Sequence, residues 1–374
     1  MASLAPTYAP RRPTETVLYS AVRDNLETFL GWARESYEKP IPRYVENELR
    51  GYLRCGVFAH GFVRCRCDAC GHDLLVAFSC KGRGLCPSCA GRRMSNTAAH
   101  LVDRVLPDVP VRQFVLSLPF ELRALAAFKA DVLGALGRIF VAAIFARYRK
   151  RARGIECGAV TFVQRFGGSL NLNVHFHVVV LDGTFARDAD QRVSFRAASP
   201  PAIAELEAIV VRVRDRALAW LRRRGLLDER PAEERSSETP EPAAIEACAA
   251  IAMQCGTHAT LPLPSEEGGA EQDVEAPRAQ PALAFERDGF NLHAGVRIEA
   301  GDDVGRERLC RYGARPPLSL ERLRRLPGGR FACRVKYARR GRAKHRVMTS
   351  MELLARLAAL IPPPRYPLVS SPLK

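Results

Sequence analysis

The sequence predicts an α+β fold, an antiparallel sheet with flanking helices preceded by a small cysteine-rich ribbon. Three observations carry this. Segments 158–166 and 173–181 are apolar, strand-like and joined through a Gly167-Gly168 turn signal. Stretches with apolar residues at helical spacing lie on both sides of them. Seven of the twelve cysteines crowd between Cys55 and Cys89.

The elements follow in order. Residues 14–53 read as helical, with Leu18, Val22, Leu26, Phe29 and Leu30 on one stripe and an interruption at Pro40 and Pro42. Residues 55–90 are the cysteine-rich part. A helix is expected over 92–106, closed by Pro107, then a strand over 111–118 and a helix over 121–153 that ends in a basic run. After the two strands comes an arginine-rich helix over 201–224. Residues 228–288 read as an acidic Pro/Glu-rich linker or insertion, with a short helix at 245–254. Order returns with a strand at 290–298, a helix at 303–312 stopped by Gly313 and Pro316-Pro317, a hairpin over 330–348 and a helix over 350–360. This divides the chain into an N-terminal helical segment (1–54), the ribbon (55–92), a core (93–227), the insertion (228–288) and a C-terminal part (289–374).

Charge points to a polyanionic partner. Lysine and arginine number 57 against 40 acidic residues, a net +17, and 47% of the chain is apolar, enough for a real core. The 228–288 segment holds 14 acidic and 4 basic residues, so the rest carries +27. Arginine dominates that excess, which suits bidentate phosphate contacts. No apolar stretch is long enough to span a membrane and no signal peptide is evident, so a cytoplasmic, nucleoid-associated location is expected.

Cys67-x-x-Cys70 and Cys86-x-x-Cys89, 15 residues apart, have the two-knuckle spacing of a zinc ribbon. Four thiolates complete a tetrahedron and leave no open position, so the expected zinc is structural. Cys55, His60, Cys65, His72 and Cys80 lie nearby. Each is read as a small buried thiol or supporting group, with a ligand role as the alternative. Lys81, Arg83, Arg92 and Arg93 surround the ribbon and either face DNA phosphates or form a solvated surface.

On a strand over 173–181, His175 and His177 point to one face and Phe176 to the other. Two adjacent imidazoles form half of a divalent-metal site. The alternative is a pair of histidines satisfied by hydrogen bonds near a strand end.

Longer motifs add a resemblance. They are Phe78-Ser-Cys-Lys-Gly-Arg-Gly-Leu-Cys-Pro-Ser-Cys89 after the first cysteine pair, Val111-Arg-Gln-Phe-Val-Leu-Ser-Leu-Pro119, Gln164-Arg-Phe-Gly-Gly-Ser-Leu-Asn-Leu-Asn-Val-His-Phe-His177, and Arg308-Leu-Cys-Arg-Tyr-Gly-Ala-Arg-Pro-Pro317. With these the chain resembles the HUH transposases of rolling-circle insertion sequences, from about residue 45 to 366 apart from the acidic insertion. The resemblance implies that the sheet is an HUH nuclease core and that the protein nicks and rejoins single-stranded DNA. In that chemistry a tyrosine attacks a scissile phosphate polarised by a divalent ion, magnesium or manganese, and leaves a 5′-phosphotyrosine. Tyr312 matches the family's tyrosine, and Arg308, Arg311 and Arg315 beside it are expected to contact DNA. Gln164 is a candidate third ligand to the ion, or a strand-surface amide. Where some relatives carry a second tyrosine this chain has Pro316, which implies a single-tyrosine enzyme. Val174 replaces a usual proline, and the chain stops soon after Pro367, where relatives continue, so a truncated copy is expected.

Residues 306–346 hold 15 basic and 2 acidic residues, a candidate single-strand track or a solvated charged face. Two other readings share the composition: a replication initiator or relaxase with the same chemistry, and a decayed, noncatalytic zinc-dependent DNA-binding protein.

Overall fold

The computed structural model describes residues 11–149, 155–187, 190–227, 243–254, 283–335 and 344–370. Helix α1 (Val17–Ser36) starts at Thr16, whose hydroxyl oxygen accepts from the Tyr19 N–H at 3.2 Å, and buries the stripe expected from its spacing. The Pro40–Pro42 break separates it from α2 (Arg43–Arg54), which packs back on α1. A hairpin of β1 (Phe62–Arg66) and β2 (Asp73–Ala77) follows. Helix α3 (Pro87–His100) begins five residues before the expected start, because Pro87 is tolerated at the first helical position, and it runs into a wider π turn over Leu101–Val105.

Among the described residues, six strands form the main sheet. In spatial order these are β14 (Val369–Ser370), β5 (Ala159–Phe166), β6 (Leu172–Leu181), β3 (Val111–Ser117), β10 (Phe290–Ile298) and β9 (Ala284–Arg287), and every pairing is antiparallel. The central β6 is paired on both sides and its last eight residues are buried, as its continuous apolar run requires. On one face, Val174, Phe176, Val178 and Val180 meet α4 (Phe120–Phe128), α5 (Ala130–Arg149), α6 (Ile203–Arg223), α7 (Ala244–Met253) and α9 (Ser350–Leu360) in the larger core. Phe176 lies 6.4 Å from the Phe140 ring, and its full burial contributes about 2–3 kcal/mol. On the other face, Val160, Phe162, Val179 and Leu181 meet α3 and α8 (Asp303–Ala314) in a second, smaller core. Alternation along β6 puts His175 and His177 on this second face.

Some expectations change. The helix expected over 121–153 breaks at Lys129, whose extended backbone (φ −109°, ψ 105°) ends α4 before α5 begins; residues 150–153 lie outside the described residues. The short helix expected inside the acidic segment is α7, but its Ala244, Cys248, Ala249 and Ala252 are buried, largely against α9. The small sheet of β4 (Ile155–Glu156), β7 (Gly183–Arg187) and β8 (Val193–Ala197) was not anticipated, because its strands are only two to five residues long. The C-terminal hairpin is β12 (Phe331–Arg334) with β13 (His345–Met348), joined at its edge by β11 (Leu323–Arg325). Its expected turn near Gly341 lies outside the described residues.

The end of β6 is fixed by a buried charge network. The Asp182 carboxylate accepts from Arg112 at 2.9 and 3.1 Å, from Arg297 Nε at 2.8 Å and from the Tyr148 hydroxyl at 3.1 Å. Both Asp182 and Arg112 are essentially inaccessible, so each depends on the other for its charge.

Candidate active site and metal centre

Two sites emerge, one in the N-terminal cysteine-rich unit and one where α8 crosses the main sheet. In the first, Cys55 closes α2, Cys80 follows β2, and Cys86 and Cys89 sit at the start of α3. Their four sulfur atoms lie within 4.8 Å of one another, with the Cys55–Cys89, Cys80–Cys89 and Cys55–Cys86 pairs at 3.6 Å. A tetrahedron with metal–sulfur bonds of about 2.3 Å has edges of about 3.8 Å, so the cluster fits a zinc ion. Backbone N–H groups of Cys80 and Gly82 point at the sulfurs of Cys55 and Cys80, at 3.4 and 3.3 Å. Hydrogen bonding within the cluster, foremost with Cys80, brings the Cys55 thiol down to about 6. Cys89 is also held below the usual thiol range, whereas Cys80 and Cys86 are driven above it, first by Cys55. Four thiolates this close repel, and a cation is what allows all of them to ionise together.

This grouping corrects the expected ligand set. Cys86 and Cys89 belong to the cluster, but their partners are Cys55 and Cys80 instead of Cys67 and Cys70. The reason is geometric. The five-residue ladder of the β1–β2 hairpin carries Cys67 and Cys70 to its far turn, about 17 Å from its base at roughly 3.3 Å per residue. There both cysteines are exposed. The Cys67 sulfur accepts from the N–H groups of Cys70 and Ala69, and Gly71 at φ +68° closes the turn. His60, Cys65 and His72 also lie outside the four-sulfur cluster. The signal missed in sequence is the glycine-rich loop Cys80-Lys-Gly-Arg-Gly-Leu-Cys86, which folds the first thiol back onto the last pair.

The expected basic residues around the cysteines divide. Arg83 is turned inward and donates to the Tyr366 carbonyl, and Arg93 donates to the carbonyls of Gly82 and Lys81 at 3.4 and 3.2 Å. Lys81 and Arg92 are exposed.

At the second site β6 supplies His175 and His177, with ring centroids 4.9 Å apart. The His175 Nδ1 hydrogen is held by the Asn173 carbonyl at 2.8 Å, leaving Nε2 as the ring's lone-pair nitrogen. Neither ring nitrogen of the buried His177 has a hydrogen-bond partner among the described residues. Burial pushes His175 down to about 4 and His177 well below its ordinary value, with Arg315 adding to both shifts and Arg123 to that of His175. Both rings are therefore neutral near pH 7, the form that coordinates a cation.

Gln164 stands directly opposite His175 across the β5–β6 ladder. Its amide nitrogen donates to the carbonyls of Tyr312 and Gly313 at 2.7 and 3.0 Å, while its buried Oε1 has no hydrogen-bond partner among the described residues. Two buried histidine nitrogens and an amide oxygen left unmatched would cost about 1–3 kcal/mol each. A hard or borderline cation would satisfy them, so this donor set fits magnesium or manganese.

Tyr312 comes from the C-terminal end of α8, and its ring meets His177 edge-on at 5.5 Å. Close approach of α8 to the sheet depends on Gly313, where a Cβ would lie 2.7 Å from the Phe162 ring. The Arg315 guanidinium lies over the rings of Tyr312 and Phe166, at 5.0 and 4.8 Å. Arg308 is exposed on α8, and Arg311 pairs with Glu307 at 3.2 Å. Arg123 was not singled out from sequence, since a lone arginine at the start of a helix carries no pattern. Three arginines of the basic 306–346 run are internal. Arg306 is buried against Asp108 and Asp303, Arg322 donates to the carbonyls of Gly168 and Arg334, and Arg346 is buried beside Glu352.

Comparison with known families agrees with this layout. The family model Y2_Tnp, described as "Putative transposase", matches residues 158–370, more than half of the chain and including β5, β6 and α8. A second model, the IS91 "Transposase zinc-binding domain", matches residues 27–118 and includes all four clustered cysteines. No curated protein and no solved structure matches the chain.

Proposed function

The chain belongs to this transposase family, and we propose that it nicks and rejoins single-stranded DNA through a covalent bond between a 5′ phosphate and Tyr312. The observation that carries this reading is the convergence of Tyr312 on His175, His177 and Gln164, where both ring nitrogens of His177 and the Oε1 of Gln164 are buried without a hydrogen-bond partner among the described residues and the His175 Nδ1 is tied to the Asn173 carbonyl.

His175 Nε2, His177 and Gln164 Oε1 would hold a divalent cation such as magnesium or manganese, which when bound neutralises charge developing on the phosphoryl oxygens. Gln164 orients the site by gripping the two carbonyls at the end of α8, so the tyrosine and the donor set share one anchor. Arg315 and Arg123 supply positive charge that favours a bound phosphate. The Tyr312 oxygen attacks phosphorus and loses its proton to solvent. As the phosphorus–tyrosine bond forms, the bond to the 3′ oxygen breaks, and that oxygen takes up a proton to leave as a hydroxyl. One phosphoester replaces another, so no nucleotide hydrolysis is required. Attack by a 3′-hydroxyl on the phosphotyrosine then reverses the exchange and joins the strand.

The zinc unit supports this arrangement because α3, which begins at the cysteine cluster, packs along α8. The test is covalent capture. Zinc-loaded protein is incubated with manganese and labelled single strands carrying candidate element ends, then denatured and resolved by electrophoresis. An adduct is expected from wild type and is lost in Tyr312→Phe, in His175→Ala and with chelator. An adduct surviving Tyr312→Phe would place the nucleophile elsewhere. DNA binding without any adduct would favour a noncatalytic DNA-binding protein.

A further inference from the structure

The zinc unit does more than support α8, because it forms one wall of an open cleft of about 660 Å³. Arg11, Lys81, Arg92, Arg93, Asn96 and His100 line this cleft, and no acidic residue does among the described residues. Arg92, Asn96 and His100 recur every four residues on α3, one stripe with about 6 Å of rise between neighbours. All three are exposed, and none makes a hydrogen bond or ion pair with another described side chain. The helix surface between them is small (Ser88, Gly91, Ser95 and Ala99), so a ligand can approach the backbone closely. Arginine and asparagine are the side chains whose paired polar atoms match guanine and adenine edges.

The cleft also leads toward the tyrosine. Arg93, Thr97 and Val369 line both it and a narrower cavity of about 70 Å³ whose far wall is Gly313–Pro317, immediately after Tyr312. A concave space of this volume, in the range of roughly 300–1,000 Å³ typical of small-ligand sites, has room for unstacked bases of a single strand.

We propose that this cleft takes bases of the single strand that is cleaved, with Arg92 and Asn96 reading base edges and Arg11 and Lys81 contacting the backbone. Sequence choice then resides in the zinc unit, one wall away from the nucleophile. The inference rests on the proposed strand-transfer reading for its geometry, but binding tests it separately.

The experiment is selection from a randomised single-stranded oligonucleotide pool, using full-length zinc-loaded protein carrying Tyr312→Phe so that no covalent step intervenes. Arg92→Ala and Asn96→Ala are compared with Arg216→Ala, an exposed arginine on α6. Zinc content and thermal melting confirm that each variant is folded. The unsubstituted cleft should enrich a sequence preference. Asn96→Ala and Arg92→Ala should each relax it at particular positions and weaken the preferred strand by roughly 5- to 150-fold, while Arg216→Ala leaves the preference intact. Uniform weakening on every sequence, an unchanged preference, enrichment of duplex over single strands, or no enrichment at all would overturn the proposal. If the variants shift the preference but wild type never forms an adduct, the cleft stands and the chemistry falls. If wild type forms the adduct and the preference is unmoved, the reverse holds.

Discussion

Replacing Gly313 with alanine should uncouple the tyrosine from the donor set with little damage to the fold. The added methyl would lie 2.7, 2.8 and 3.1 Å from three atoms of the Phe162 ring. Ordinary contact begins near 3.4 Å, so either the ring or α8 must yield by about 0.7 Å at the tightest point. Phe162 is fully buried beneath α8 and cannot swing away freely, so the helix end shifts instead. Overpacking of this kind costs about 1–3 kcal/mol. The same shift strains the bonds from Gln164 to the carbonyls of Tyr312 and Gly313. A misplacement approaching 1 Å can slow a positioned reaction about 100-fold, so adduct formation should fall by about 10- to 100-fold. Affinity for single-stranded DNA should change little, and melting should drop by a few degrees. Gly31→Ala is the matched control, because nothing lies within 4 Å of the added atom; it should stabilise α1 by up to about 1 kcal/mol. An unchanged rate of adduct formation in a measurably destabilised Gly313→Ala would refute the reasoning, since the position of Tyr312 would then not matter.

Other expectations follow from the same geometry. Cys55→Ser and Cys80→Ser should each lose the bound zinc on dialysis, measured by elemental analysis, whereas Cys67→Ser and Cys70→Ser should retain the ion in the four-sulfur cluster. Stripping zinc with a chelator should lower the helical circular-dichroism signal as the start of α3 loosens, and the loss should reverse when zinc is returned. Asp182→Ala leaves Arg112 buried without its carboxylate and should destabilise the fold by about 3–5 kcal/mol in denaturant titration. Gln164→Leu removes both the donor to α8 and the free Oε1, and should weaken manganese binding, measured by titration calorimetry, by about 10- to 100-fold; unaltered affinity would exclude Gln164 as a ligand.

Local pattern made much of the scaffold legible in the sequence. The apolar stripe of α1, the proline break before α2, the buried run of β6 and the glycine turn before it each carry a strong short-range signal, and together they imply the antiparallel sheet. The shared face of His175 and His177 follows from strand alternation alone. What could not be read depends on long-range packing. The cysteine cluster joins the end of α2 to residues at least 25 positions later, and nothing in a Cys-x-x-Cys spacing says which second pair completes it. The break at Lys129 is a conformational choice at a residue that itself forms helix well. Arginine is ambiguous for a physical reason. Its long stem and five donors serve buried carbonyls as readily as phosphates, and Arg306, Arg322 and Arg346 are used inward. A charge run therefore overstated the exposed basic surface beside α8, while the stripe of Arg92, Asn96 and His100 on α3 carried less charge and drew less notice.

The central claim is that Tyr312 is the nucleophile held over the histidine pair, and peptide mapping of the adduct tests it most directly. Wild-type protein would be trapped on a labelled single strand with manganese, digested with nuclease and protease, and the modified peptide sequenced by mass spectrometry. The account predicts one nucleotide-bearing peptide, with the phosphate on Tyr312 and the label position showing attachment through the 5′ phosphate. A phosphate on any other tyrosine, or attachment through a 3′ phosphate, would contradict it.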